Sequence, residues 1–216
     1  HPSANVPHPQ HPEITVMGID KFDKDGKIRM HIYRRGAEAF HTDGNFDEDP
    51  YKATGLYCLA VPSRGGDTHF SCAYAAYEAL PEATRARIDG VMAIHVYQSS
   101  HSARKLMSLS NDDKERVPNA VLHPLVRTHP ETGRKALFTS VAHTSHIKGW
   151  TEQESLPLIE FLWAHQVRPE FTCRFRWEVG SLAFWDNRCA MHNPINDYHG
   201  FRRVMHRVTL AGDRPR

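Results

Sequence analysis

The 216-residue sequence predicts a mainly β fold, a double-sheet barrel or jelly roll with a few helices packed outside it. Three observations carry this expectation. Short runs rich in β-branched and aromatic residues recur along the chain, bounded by turn residues. Helical periodicity is confined to two regions, 71–90 and 151–166. No apolar run approaches the roughly 18 residues that span a bilayer.

Residues 1–13 carry four prolines and read as an irregular arm. Ile14–Ile19 and Lys27–Tyr33 read as strands, joined through the hairpin signal Asp25-Gly26. The polar, turn-rich stretch 34–54 places His41 and Asp43 at a strand edge or in a loop, and Gly55–Val61 follows as a buried strand. Between Ser71 and Gly90 the period changes to that of two short helices broken at Pro81. Val91–Tyr97 is a further strand, and the charged, irregular stretch 99–120 reads either as a mobile loop over a site or as a plain solvated loop. Leu122–Thr128 and Lys135–Ser140 flank a His-Pro-Glu-Thr-Gly-Arg turn as a second hairpin. Thr151-x-x-Glu154 is a capping box, opening a helix to about Gln166 with Leu156, Ile159, Leu162 and Trp163 on one face. Strands then return at Phe171–Val179, Leu182–Trp185 and Arg203–Leu210. There is no internal repeat and no domain boundary, so 1–216 reads as one domain.

A formal net charge of +2, with Lys and Arg dispersed, argues for neither a nucleic-acid nor a membrane partner. Cys58, Cys72, Cys173 and Cys189 form no C-x-x-C and read as reduced thiols of a cytoplasmic protein. Sixteen histidines identify nothing by number; their spacing does.

His41-Thr42-Asp43 is an H-x-D. In extended chain, residues i and i+2 point to the same side, so an imidazole and a carboxylate converge on one ion. Two histidines and one carboxylate form a facial triad that suits iron(II) and leaves positions open. Alone, the triplet is a weak signal and reads as a polar turn with a satisfied histidine. Residues 184–207 add His192 after a strand, then Arg203 and Arg207. In a strand these arginines and Met205 share a face, and two cations aimed into an apolar barrel need anions. The other reading has both snorkelling to the surface or paired with acids.

With these segments the sequence resembles the taurine dioxygenase / 2,4-dichlorophenoxyacetate dioxygenase family of iron(II)- and 2-oxoglutarate-dependent oxygenases. The family's H-T/S-D element matches His41-Thr42-Asp43, and its GGDT element matches Gly65-Gly66-Asp67-Thr68, followed by Ala75–Leu80. The hairpin at 123–138 and the ending from Trp185 to Arg207 also match, in family order, over roughly 40–213. The resemblance implies a double-stranded β-helix (jelly-roll) core and iron ligands His41, Asp43 and His192. It implies that Thr68 and Arg203 bind the far carboxylate of 2-oxoglutarate, and that Arg207 and Trp185 meet a small anionic substrate. Dioxygen is the second co-substrate, and succinate and carbon dioxide accompany hydroxylation of an alkylsulfonate, alkylsulfate or aryloxyalkanoate. Asp43 favours hydroxylation, because related halogenating enzymes carry a small residue there.

The departure is at the front. Forty residues precede His41, where family members carry more, so the chain is expected to lack part of the usual N-terminal segment. His1-Pro2 resembles the family's His-Pro that helps hold a sulfonate, which makes His1 a candidate substrate residue. Family members often associate, which allows a homo-oligomer. Two other classes of function fit a two-histidine, one-carboxylate site on this fold less well. A metal-dependent hydrolase has no use for Arg203 or Thr68. A catalytically silent jelly-roll binding protein has no need of an intact triad.

Overall fold

A computed structural model describes residues 6–18, 40–102, 120–198 and 200–216. The first strands are β1 (Val6–Pro7), β2 (Thr15–Met17), β3 (Ala53–Ala60) and β4 (Thr68–Cys72), followed by helices α1 (Ala73–Glu78) and α2 (Glu82–Ile88). Strands β5 (Met92–His95), β6 (Val121–Pro124), β7 (Val126–Thr128), β8 (Lys135–Leu137) and β9 (Thr144–Ile147) lead to helix α3 (Glu152–Gln166). A 3-10 turn, Pro169–Phe171, precedes β10 (Thr172–Phe175), β11 (Leu182–Asp186), β12 (Ala190–Pro194) and β13 (Val204–Leu210).

The largest sheet is antiparallel, in the order β1-β2-β13-β3-β11, and a smaller one runs β10-β4-β12. Their inner faces meet. Phe70 of β4 lies 5.2 Å, ring to ring, from Trp185 of β11, and Leu56, Cys58, Trp177, Ala183 and Met205 fill the space around them. Each large apolar side chain so buried contributes about 1.5–3 kcal/mol. The result is a jelly-roll core, and among the described residues its sheets do not close into a barrel. A third sheet, β6-β5-β9, and the β7-β8 hairpin complete the strands.

Helix α3 covers the third sheet. Thr151 and Glu154 cap its start reciprocally, which satisfies two otherwise orphaned backbone donors. Ile159 and Leu162 are fully buried on its inner face. Its Ser155 hydroxyl accepts the Ile147 N–H of β9 at 2.9 Å.

Several sequence expectations change. The proline-rich arm supplies β1, a two-residue edge strand paired with β2. The strand expected at Leu122–Thr128 divides at Leu125: β6 pairs with β5, whereas β7 turns to pair with β8. Strands β4 and β9 were not expected, and His192 lies inside β12 rather than after a strand. Arg203 sits one residue before β13, whose register shifts between Val204 and Met205. Lys27–Tyr33, the Asp25-Gly26 turn and most of the 99–120 loop lie outside the described residues.

Candidate metal and co-substrate site

His41 and His192 form an isolated backbone bridge, in which each N–H donates to the other's carbonyl, at 3.0 and 2.9 Å. Directly opposed residues of an antiparallel pair share a face, and the two rings lie with centroids 4.3 Å apart. His192 stands opposite Phe70, so it faces the interior, 4.8 Å from the Trp185 ring. Asp43 completes the group: its Oδ1 is 3.9 Å from His41 Nε2 and 3.8 Å from His192 Nε2. The three ligand atoms fall within 4.8 Å of one another. Two imidazoles and one carboxylate converging on a point fit a redox iron(II) site.

The carboxylate is held from behind. Thr54, fully buried, donates its hydroxyl to Asp43 Oδ2 at 2.9 Å. Asn187 donates its amide to the same Thr54 oxygen at 2.8 Å, and Trp185 Nε1 donates to the Asn187 carbonyl at 3.0 Å. With its oxygen accepting from Asn187, the Thr54 proton is directed at Asp43. Burial alone would push the Asp43 carboxyl up, but the charges of His192, Arg207 and His41 and the Thr54 hydrogen bond outweigh it and hold it at about 2. The carboxylate is therefore ionised at neutral pH, the form a metal needs.

A second polar group lies two residues along β4 from Phe70, the strand partner of His192. Thr68 opens β4 and is 2% exposed. Arg203 is 7% exposed, and its Nε donates to the Gly66 carbonyl at 3.0 Å. Its Nη2 is buried without a partner, and no carboxylate pairs with it among the described residues. The rings of Trp177 and Tyr198 each lie 5.7 Å from its Cζ. Gly66 adopts φ +76°, and a Cβ there would meet Arg203 Cδ at 3.0 Å and Tyr198 at 3.2 Å, so only glycine lets the loop close over the guanidinium. Asp197 accepts the Gly66 N–H at 2.6 Å and fixes that loop. A buried guanidinium without a counter-charge costs several kcal/mol by order of magnitude. An entering carboxylate removes that cost.

Arg207 lies on β13, half-buried. Its charge lowers the Asp43 carboxyl and opposes the burial that raises Tyr51, and its Nε is buried without a partner among the described residues. Trp185 is buried against His192. The structure thus brings His41, Asp43, His192 and Trp185 into one group, sets Thr68 and Arg203 in the adjoining pocket, and leaves Arg207 within electrostatic reach of Asp43. His1 lies outside the described residues. Thr54 and Trp177 had no sequence signal of their own; Asn187 and Tyr198 are marked only by their place in the matched Trp185–Arg207 ending.

A family model described as "Taurine catabolism dioxygenase TauD, TfdA family" matches residues 4–209. The chain is 35% identical over 221 residues to the alpha-ketoglutarate-dependent dioxygenase cnsM of Penicillium expansum, covering 100% of this chain and 61% of that protein. It is 36% identical over 186 residues to an alpha-ketoglutarate-dependent sulfate ester dioxygenase of Pseudomonas putida, covering 83% of this chain and 61% of that one. It therefore spans about three fifths of the length of these two relatives. A crystal structure of a taurine dioxygenase from Burkholderia xenovorans superimposes with a TM-score of 0.76 at 34% identity, over 100% of this chain and 69% of that one.

Proposed function

The chain belongs to the TauD/TfdA dioxygenase family, and from that premise we propose that it is an iron(II)- and 2-oxoglutarate-dependent dioxygenase that hydroxylates a small organic anion. In this proposal His41, Asp43 and His192 hold the iron, and Thr68 and Arg203 hold the distal carboxylate of 2-oxoglutarate. The observation that carries it is Arg203: a buried guanidinium with an unmet N–H, next to a buried hydroxyl and beside a two-histidine, one-carboxylate cluster. A hydrolytic metal site has no use for such a cation.

Bound iron supplies the redox chemistry that couples 2-oxoglutarate decarboxylation, with dioxygen, to substrate hydroxylation. The residues of the chain bind, orient and shield. Thr54 holds Asp43 Oδ2 and so leaves Oδ1 turned toward the histidines. Arg203 and Thr68 set the depth to which the co-substrate enters. Arg207 supplies a cation for the primary substrate's anionic group, and Trp185 walls that region with an apolar ring. A sulfonate, sulfate ester or aryloxyalkanoate fits this arrangement. The relatives act on such anions by their names, among them taurine and sulfate esters.

The same proposal treats residues 1–216 as one oxygenase domain working in the cytoplasm. The four cysteines are free, and among the described residues no helix is long and apolar enough to cross a membrane. Replacing Asp43 by Ala tests the assignment: succinate formation should disappear, and an Asp43→Ala protein with unchanged turnover would remove the triad from its role.

A further inference from the structure

Trp177 lies in the connection between β10 and β11, is 3% exposed, and packs in the core between the two main sheets. An apolar core position has no need of an indole N–H. Here that N–H is used: Nε1 donates to the Thr68 hydroxyl oxygen at 3.0 Å. The face of the same ring lies 5.7 Å from the Arg203 guanidinium. One side chain therefore touches both polar members of the pocket beside the metal cluster.

The consequence follows from what a hydroxyl can do. A threonine hydroxyl has one proton to give and two lone pairs to offer. The indole N–H occupies one lone pair and keeps the hydroxyl proton from turning toward Trp177, which favours the O–H as the donor to an incoming carboxylate. Without the indole, the hydroxyl rotates and presents a lone pair or a proton. The ring meanwhile gives the guanidinium an aromatic face to rest on, which holds it while it has no counter-anion.

We propose that Trp177 is a positioning residue of the co-substrate pocket: its N–H fixes the Thr68 hydroxyl as a donor and its ring seats Arg203, so that both meet the distal carboxylate of 2-oxoglutarate pre-oriented. The proposal rests on the assignment of Thr68 and Arg203 to that carboxylate, and the variants below separate the two ideas.

Trp177→Phe keeps an aromatic ring in the core and deletes the N–H. Binding of 2-oxoglutarate to the manganese-loaded full chain, followed calorimetrically, should weaken about five- to tenfold, as for one oriented hydrogen bond. Manganese affinity should stay unchanged. So should binding of 2-oxopentanoate, which has the same chelating head and no distal carboxylate. In a Thr68→Val background the Trp177→Phe change should add no further loss. If both acids weaken equally, or neither does while Thr68→Val weakens 2-oxoglutarate, Trp177 is a plain core residue and the positioning role is overturned. If Thr68→Val leaves 2-oxoglutarate affinity intact, the pocket assignment itself falls.

A measurement on the unmutated side chain covers a Trp177→Phe protein that fails to fold. The indole N–H resonance of Trp177 in the zinc-loaded protein, assigned by its displacement in Thr68→Val, should shift with 2-oxoglutarate and stay put with 2-oxopentanoate. An indole resonance indifferent to both acids, or moved equally by both, would overturn the proposal.

Discussion

Thr54→Val removes a hydroxyl and almost nothing else, since the two side chains have nearly the same shape. In the wild-type chain that hydroxyl donates to Asp43 Oδ2 at 2.9 Å and accepts from Asn187 Nδ2 at 2.8 Å, with Thr54 0% and Asn187 1% exposed. The variant therefore strips a charge-assisted bond from the Asp43 carboxylate and strands a buried amide N–H. The first loss is about 1.5–3 kcal/mol and the second about 1–3 kcal/mol. The second falls on folding, with or without metal. The first falls largely on the metal, because Asp43 then loses one of the contacts that orient it and hold its carboxyl low. Outer-sphere partners of metal ligands are typically worth about 10- to 100-fold in metal affinity. Manganese titration followed by electron paramagnetic resonance should place Thr54→Val in that range, with Thr54→Ser close to wild type. A Thr54→Val protein that folds and binds manganese with wild-type affinity would refute the relay from Trp185 through Asn187 and Thr54 to Asp43.

Asp186→Asn should lower stability by roughly 1–3 kcal/mol in chemical denaturation, because Arg188, with a side chain only 5% exposed, then keeps Glu131 at 2.9 Å as its one carboxylate partner among the described residues. The loss is smaller than for a fully buried pair because the Asp186 side chain is 30% exposed. His95 gives a pH dependence. Burial, then the neighbouring His123 and His143, hold it well below the ordinary histidine value of 6.5, so the folded protein keeps it neutral while the unfolded chain protonates near that value. The stability it contributes is present above about pH 6.5 and is lost as pH falls toward the folded value. Melting temperatures should therefore decline from pH 7 to pH 5, with a shallower slope in His95→Phe; identical slopes would contradict a neutral, buried His95.

Legibility in the sequence followed how local each signal was. Helix α3 was readable because Thr151 and Glu154 cap it within four residues. The β7-β8 hairpin was readable because its turn carries its own chemistry. Strand β4 was not, since its sequence runs straight into α1 without a turn, and Ser71 is buried by donating to the Gln166 carbonyl at 2.6 Å rather than by being apolar. Strand β9 hid for the same reason: Thr144 and Ser145 lie buried on hydrogen bonds, to the Ser140 N–H and to Glu152. The break at Leu125 depends on partners distant in the chain, as its N–H donates to Val91 and its carbonyl accepts from Phe138.

The site divides along the same line. The H-x-D, GGDT and Trp185–Arg207 segments are short, ordered motifs, so the five residues proposed to hold iron and 2-oxoglutarate are named from them. What orients those residues could not. Asn187 meets Thr54 across 133 positions and Trp177 meets Thr68 across 109, and an ordinary threonine in a β-rich run carries no mark of the anion it will face.

The central claim is that this site couples decarboxylation of 2-oxoglutarate to hydroxylation of an organic anion. The most direct measurement supplies the full chain with iron(II), 2-oxoglutarate and air, adds one alkylsulfonate, alkyl sulfate or aryloxyalkanoate at a time, and quantifies succinate and the remaining anion together. The account predicts that at least one of these anions raises succinate above the anion-free blank and disappears in equal amount, and that Asp43→Ala does neither. Iron and 2-oxoglutarate both bound, with succinate at the blank level for every anion in the three classes, would contradict it.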